Sequence, residues 1–130
     1  MKLTIYTANC SGNPKNSIYP NKVAVTCEDD MTAAVAYDHV CADYKNKHRS
    51  VSNFIESDVD VLDCDNDHSD NPNDWIYPED YEKYFPGVRY VIVPSRNNMK
   101  VKGGKSERPR HHVYFPHTTY HSAEKSEELK

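Results

Sequence analysis

Apolar residues alternate with polar ones along several stretches of the chain and recur at helical spacing along another, a pattern that predicts strands interspersed with a few helices. Residues 2–8 (KLTIYTA) read as a strand, followed by an Asn/Ser/Gly/Pro loop over 9–21 and a second short strand over 22–26. Met31, Ala34, Val35, Tyr37, Asp38, Val40, Cys41 and Tyr44 then form an approximate helical stripe. It predicts a helix from Asp29, capped by Asp29 or Asp30, through about Lys47. Such a stripe is core packing and implies no cofactor.

After a polar segment and a short Phe54-Ile55 patch, the run VDVLDCDND over 59–67 predicts a strand that ends abruptly in carboxylates. A loop rich in Asn, Asp and Pro follows. Residues 78–85 predict a short helix with proline in its first turn, stopped by Pro86-Gly87. Residues 88–94 (VRYVIVP) and 110–115 (RHHVYF) predict two further strands, separated by a basic loop over 95–109 that contains Gly103-Gly104. Residues 117–130 read as a polar tail, helical in character from Ser122. Strands mixed with two or three helices, without an internal repeat, give one α+β domain with a mixed or antiparallel sheet flanked by helices.

Length and composition limit what this domain can be. The 130 residues suffice for a modest core, and 37% are hydrophobic against 28% charged. No apolar run is long enough for a membrane helix, and the first residues lack the apolar core of a signal peptide, so the expectation is a soluble cytoplasmic protein without a membrane partner. Cys10, Cys27, Cys41 and Cys64 are scattered without a C-x-x-C pair, which fits reduced thiols better than a zinc knuckle or disulfide framework. The net charge of −4 argues against nonspecific coating of nucleic acid. Its distribution is polar, however: residues 58–74 are strongly acidic, whereas Lys100, Lys102, Lys105, Arg108 and Arg110 face only Glu107.

The chemistry concentrates at two places. The two-residue period of a strand puts Asp63 and Asp65 on one face, and two carboxylates aimed at one spot repel unless a cation lies between them. Hard oxygen ligands on a short loop suit Mg²⁺ or Mn²⁺ carrying a phosphate. Asp63, Asp65, Asp67 and Asp74 also fall at positions one, three, five and twelve of an EF-hand-like loop. His68 stands there in place of the turn glycine, Pro72 intrudes, and the entering segment is β-branched, so that alternative fails. In the second place, RPRHHVYFP over 108–116, strand geometry puts Arg110, His112 and Tyr114 on one face and His111, Val113 and Phe115 on the other. Adjacent histidines cannot both grip one metal from a strand, but His112 beside Arg110 suits a triphosphate. Lys100, Lys102 and Lys105 could track a nucleic-acid backbone on a loop that Gly103-Gly104 lets move.

In this order, Asp63-x-Asp65 at a strand end, a helix, a strand ending near Ser95-Arg96-Asn97, a basic glycine-containing loop and Arg110-x-His112 on a strand, the chain resembles the catalytic domain of archaeo-eukaryotic-type primases. It is most similar to the primase-polymerases of bacterial mobile elements, prophages and plasmids, over roughly residues 58–116. The resemblance implies an RRM-like primase core and template-directed nucleotidyl transfer. Asp63 and Asp65 would hold two divalent ions, Mg²⁺ or Mn²⁺, and His112, Arg110, Ser95 and Arg96 would contact the incoming nucleotide. Partners would be nucleoside triphosphates, a DNA template and primer, and a helicase or the remaining domains of a longer chain.

One departure stands out. The family's third motif is an aspartate after an apolar residue on a later strand, and beyond Phe115 the chain offers only Glu124, Glu127 and Glu128. The expectation is therefore the N-terminal part of a catalytic domain, incomplete at its C-terminus. The alternatives are a noncatalytic nucleotide-, nucleic-acid- or host-protein-binding module of phage or mobile-element origin, another D-x-D phosphotransferase or nuclease, or a site completed by Asp67 or Asp70.

Overall fold

In the computed structural model, which describes residues 2–120, antiparallel strands and few helices give an α+β chain. Backbone contacts divide it into two compact units, residues 2–60 with 116–120 and residues 61–115. Among the described residues no helix is long and apolar enough to cross a membrane.

The first unit is organised by β1 (Leu3–Thr7), whose Leu3 and Ile5 are fully buried. β1 pairs antiparallel with β2 (Asn21–Val25) on one side and β3 (His39–Val40) on the other, giving the order β2-β1-β3. Tyr6, Ala8, Tyr19 and Val40 form a core cluster against Cys10 and Tyr44.

The helix expected over 29–47 is much shorter. α1 spans Glu28–Val35, its N-cap is Cys27, and Asp30 lies inside it, with its carboxylate accepting from the Thr26 backbone and hydroxyl. Met31 and Ala34 of the expected stripe are buried. The rest of that segment leaves the helix because stronger partners lie elsewhere. The Asp38 carboxylate accepts from the amides of Gly12 and Asn13 at 2.7 and 2.8 Å, and the Ala8 amide donates to the Asp38 carbonyl at 2.8 Å. Val40 then pairs with Tyr6 in the sheet, and β4 (Asp43–Tyr44) and a 3-10 turn over Lys45–Lys47 occupy the remainder. Several tertiary hydrogen bonds outweigh helix propensities of a few tenths of a kcal/mol per residue.

A second sheet has the order β4-β5-β7-β6, with β5 (Phe54–Cys64), β6 (Val91–Pro94) and β7 (His111–Tyr120). β5 begins five residues before the expected strand, and β7 continues through 117–120, where a polar tail was expected. Residues 121–130 of that tail lie outside the described residues. In the 61–115 unit β6 pairs antiparallel with β7, Val93 opposite His112 and Pro94 opposite His111. The expected helix over 78–85 is a 3-10 turn, Pro78–Asp80, leading into α2 (Tyr81–Tyr84). Tyr81 is buried, and with Phe85, Tyr90 and Phe115 it makes an aromatic layer under the face of β7 that carries His111.

Candidate metal and nucleotide site

Every residue of the candidate site lies within the 61–115 unit. β5 enters it as a strand and ends at Cys64, so Asp63 is its penultimate residue and Asp65 the first beyond it. His112 projects from β7 on the same side: its Nε2 lies 3.3 Å from Oδ1 of Asp63, and both side chains are partly exposed. Asp65 is half-buried, with one carboxylate oxygen 4.0 Å from Nη1 of Arg110. Both acids lie close enough to His111 to act on it electrostatically.

Alternation along β7 separates the two histidines as strand geometry requires. His111 is buried on the opposite face, with Nε2 2.8 Å from the Tyr81 hydroxyl and Nδ1 without a hydrogen-bond partner. Burial holds its imidazole below the usual range, helped by His112, while Asp63 and Asp65 pull the other way. Burial, together with Cys64, raises the Tyr81 phenol well above its ordinary value. His111 is thus a neutral core histidine, and His112 is the one presented to Asp63.

The arginines are placed less simply. Both Arg108 and Arg110 are fully buried, an uncommon state for guanidinium that demands partners. Nη1 of Arg110 donates to the Asp67 carboxylate at 2.7 Å and to the Asp65 carbonyl at 3.1 Å. Its Nε and Nη2 are buried without a hydrogen-bond partner. Arg108 donates to the carbonyls of Asn66 and Ser69, both at 2.9 Å, and to the Asp70 carboxylate at 2.8 Å, and its guanidinium carbon sits 5.1 Å from the centre of the Trp75 ring. These bonds hold the carboxyls of Asp67 and Asp70 below the usual carboxylate range. The two arginines therefore tether the acidic loop after β5, a role that residue type alone did not indicate.

The tether also bears on the ligand set. Asp67 and Asp70 are engaged by arginine, so either could complete a metal site only by giving up a charged hydrogen bond. Asp74 accepts from the Ser69 hydroxyl at 2.9 Å. Among the described residues no group of three or more His, Cys, Asp or Glu side chains gathers as a metal-binding set. Two partly exposed carboxylates fit an ion that keeps several waters, as Mg²⁺ does, and do not fit a closed protein cage.

Of the other expected nucleotide-binding residues, Ser95 adjoins Arg110. The Ser95 amide donates to the Arg110 carbonyl at 2.9 Å, and the Ser95 hydroxyl is buried without a hydrogen-bond partner. Arg96, one residue further, is exposed. Of the three expected nucleic-acid lysines, Lys100 and Lys102 are exposed, but Lys105 donates its Nζ to the Asp67 carbonyl at 3.1 Å. Gly103 and Gly104 both have positive φ, 58° and 78°, closing a two-residue hairpin between Lys102 and Lys105. Their conformational freedom serves that turn.

The residue that sequence reasoning passed over is Asn66, which is 2% exposed with φ at 55°. Its position between two aspartates at a strand end was the available signal, since Asn tolerates the left-handed region better than most residues.

Compared with protein-family models, curated proteins and solved structures, the chain has no match.

Proposed function

We propose that this chain carries the metal- and nucleotide-binding part of a primase-polymerase-type nucleotidyltransferase, with an RRM-like archaeo-eukaryotic primase core. The observation that carries the reading is the approach of His112 to Asp63: two residues far apart in sequence, each picked out by its motif, meet at 3.3 Å on one face of one unit. Asp63 and Asp65 are the metal ligands. His112 contacts the triphosphate, and Arg110, buried against the Asp67 carboxylate and the Asp65 carbonyl, fixes the loop beside it.

Bound Mg²⁺ or Mn²⁺ would supply charge neutralisation at the phosphates and activation of a 3′-hydroxyl. The chain's own residues provide orientation. Asp63 and Asp65 set where the ion sits, His112 holds the phosphates beside it, and Lys100 and Lys102 on the exposed hairpin attract a template or primer backbone.

The test is primer synthesis on single-stranded DNA with nucleoside triphosphates and Mg²⁺ or Mn²⁺, using the chain and any longer polypeptide that contains it. Metal-dependent products that vanish in Asp63→Asn and Asp65→Asn support the reading. Products unchanged by both substitutions, or no product from any form, reject it, and shortened nucleic acid would indicate a nuclease.

A second reading, a noncatalytic nucleotide- or nucleic-acid-binding module, is favoured by one observation: among the described residues no set of three His, Cys, Asp or Glu side chains gathers as a metal site. It predicts nucleotide or DNA binding without synthesis.

A further inference from the structure

We infer that Asn66 is the positioning residue of the carboxylate pair, fixing the direction in which the end of β5 presents Asp63 and Asp65. The inference rests on the metal reading of those two acids. Two residues after the end of β5 the chain enters a left-handed residue, and Asn66 occupies it at φ 55° while buried to 2% exposure. A buried amide must place two acceptor lone pairs and two N–H groups. Asn66 places all four. Its Oδ1 accepts from the Ile76 amide at 2.7 Å and receives the Cys64 thiol at 3.7 Å, and its Nδ2 donates to the carbonyls of Ile76 at 2.9 Å and Pro109 at 2.8 Å. The Asn66 carbonyl in turn accepts from Arg108.

These bonds join the end of β5, the segment at Ile76 and the approach to β7 through one side chain. The contact with Cys64 matters most for direction. Cys64 lies between the two acids, and strand alternation turns Asp63 away from the side on which Cys64 is held, with Asp65 following directly from the strand end. Asn66 therefore acts through the backbone and touches neither ion nor nucleotide. Aspartate cannot take its place, because a carboxylate would set acceptor oxygens against the carbonyls of Ile76 and Pro109. Glycine keeps the backbone conformation and removes the amide, which makes Asn66→Gly the informative variant.

The experiment is Mn²⁺ titration of the 130-residue chain, following the free-ion paramagnetic resonance signal below the melting transition of every variant. Groups that orient metal ligands are worth about 10- to 100-fold in metal affinity, so Asn66→Gly should weaken Mn²⁺ at least about tenfold. Met31→Ala, a buried truncation in the other unit, should lower the melting temperature and leave Mn²⁺ affinity unchanged. Should Asn66→Gly not fold, the wild-type chain answers through hydrogen exchange. The Ile76 amide, which donates to Asn66, should exchange more slowly as Mg²⁺ saturates the site. Mn²⁺ binding that is sensitive to Asp63→Asn but unchanged in Asn66→Gly, or Ile76 exchange indifferent to Mg²⁺ that does bind, overturns the role of Asn66 alone. A wild-type chain that binds no Mn²⁺, or binds it equally in Asp63→Asn, overturns the metal reading and the positioning role with it.

Discussion

Nη1 of Arg110, fully buried, lies 2.7 Å from a carboxylate oxygen of Asp67, 43 residues earlier in the chain. This bond and the matching one from Arg108 to Asp70 turn a stretch of like charges into a fixed loop, since Asp67 and Asp70 are each matched to a guanidinium with no exposure to water.

Replacing either arginine should therefore release the loop's anchorage. Arg108→Ala strands the Asn66 and Ser69 carbonyls and empties the space against Trp75, and a hydrogen bond to a charged group is worth about 1.5–3 kcal/mol, so a stability loss of about 3 kcal/mol or more is expected. Urea unfolding monitored by Trp75, the chain's single tryptophan, measures it. A midpoint within error of wild type would contradict the tether.

Acid should destabilise the 61–115 unit in two windows. The folded-state pKa of His111 is lowered, chiefly by burial, so its contribution is present above the unfolded value of about 6.5 and is lost as pH falls through the folded value. Asp67 and Asp70 are lowered by their arginine hydrogen bonds. Their contribution is present above the unfolded value of about 3.9 and disappears as pH falls through their folded values. Chemical denaturation at stepped pH should show stability falling with acid in both ranges, and Asp70→Asn should flatten only the lower one. Stability that rises on acidification through about pH 6 would oppose the buried neutral assignment of His111.

Tyr81 and His111 form a buried pair at 2.8 Å, so Tyr81→Phe leaves an imidazole nitrogen without its partner. The expected cost is about 1–3 kcal/mol, read as a lower melting temperature.

The hairpin lysines predict a salt effect. Lys100→Gln with Lys102→Gln should weaken single-stranded DNA binding and reduce the slope of log affinity against log salt by up to about 0.7 for each phosphate that is no longer neutralised. Lys105→Gln differs, because it also releases the Asp67 carbonyl and should lower stability. DNA affinity and salt slope unchanged in the double variant would remove the hairpin from the interface.

The legible parts of this fold were those whose partners matter little to the local pattern. β1, β2 and the strands around Val59 and Val113 followed from β-branched alternation, and the same period-two rule assigned His111 and His112 to opposite faces. The helix over 29–47 misread because Asp38 and Val40 answer to the loop at Gly12 and to Tyr6, which periodicity does not register. The acidic loop misread in a related way. Arg108, Arg110 and Lys105 looked like surface charge for phosphates, yet their partners Asp70, Asp67 and the Asp67 carbonyl lie 38 to 43 residues away. Asn66 gave even less warning, since a buried amide with its donors and acceptors all satisfied has the same letter as a solvated turn residue.

The central claim, that Asp63, Asp65 and His112 form one metal-dependent nucleotide site, is tested most directly by calorimetric titration of the chain with a nucleoside triphosphate, with and without Mg²⁺ or Mn²⁺. The account predicts binding only when the divalent ion is present, abolished by Asp63→Asn and weakened by about 1.5–3 kcal/mol in His112→Ala, the worth of a hydrogen bond to a charged group. Nucleotide binding of equal strength without metal and in both variants would contradict it.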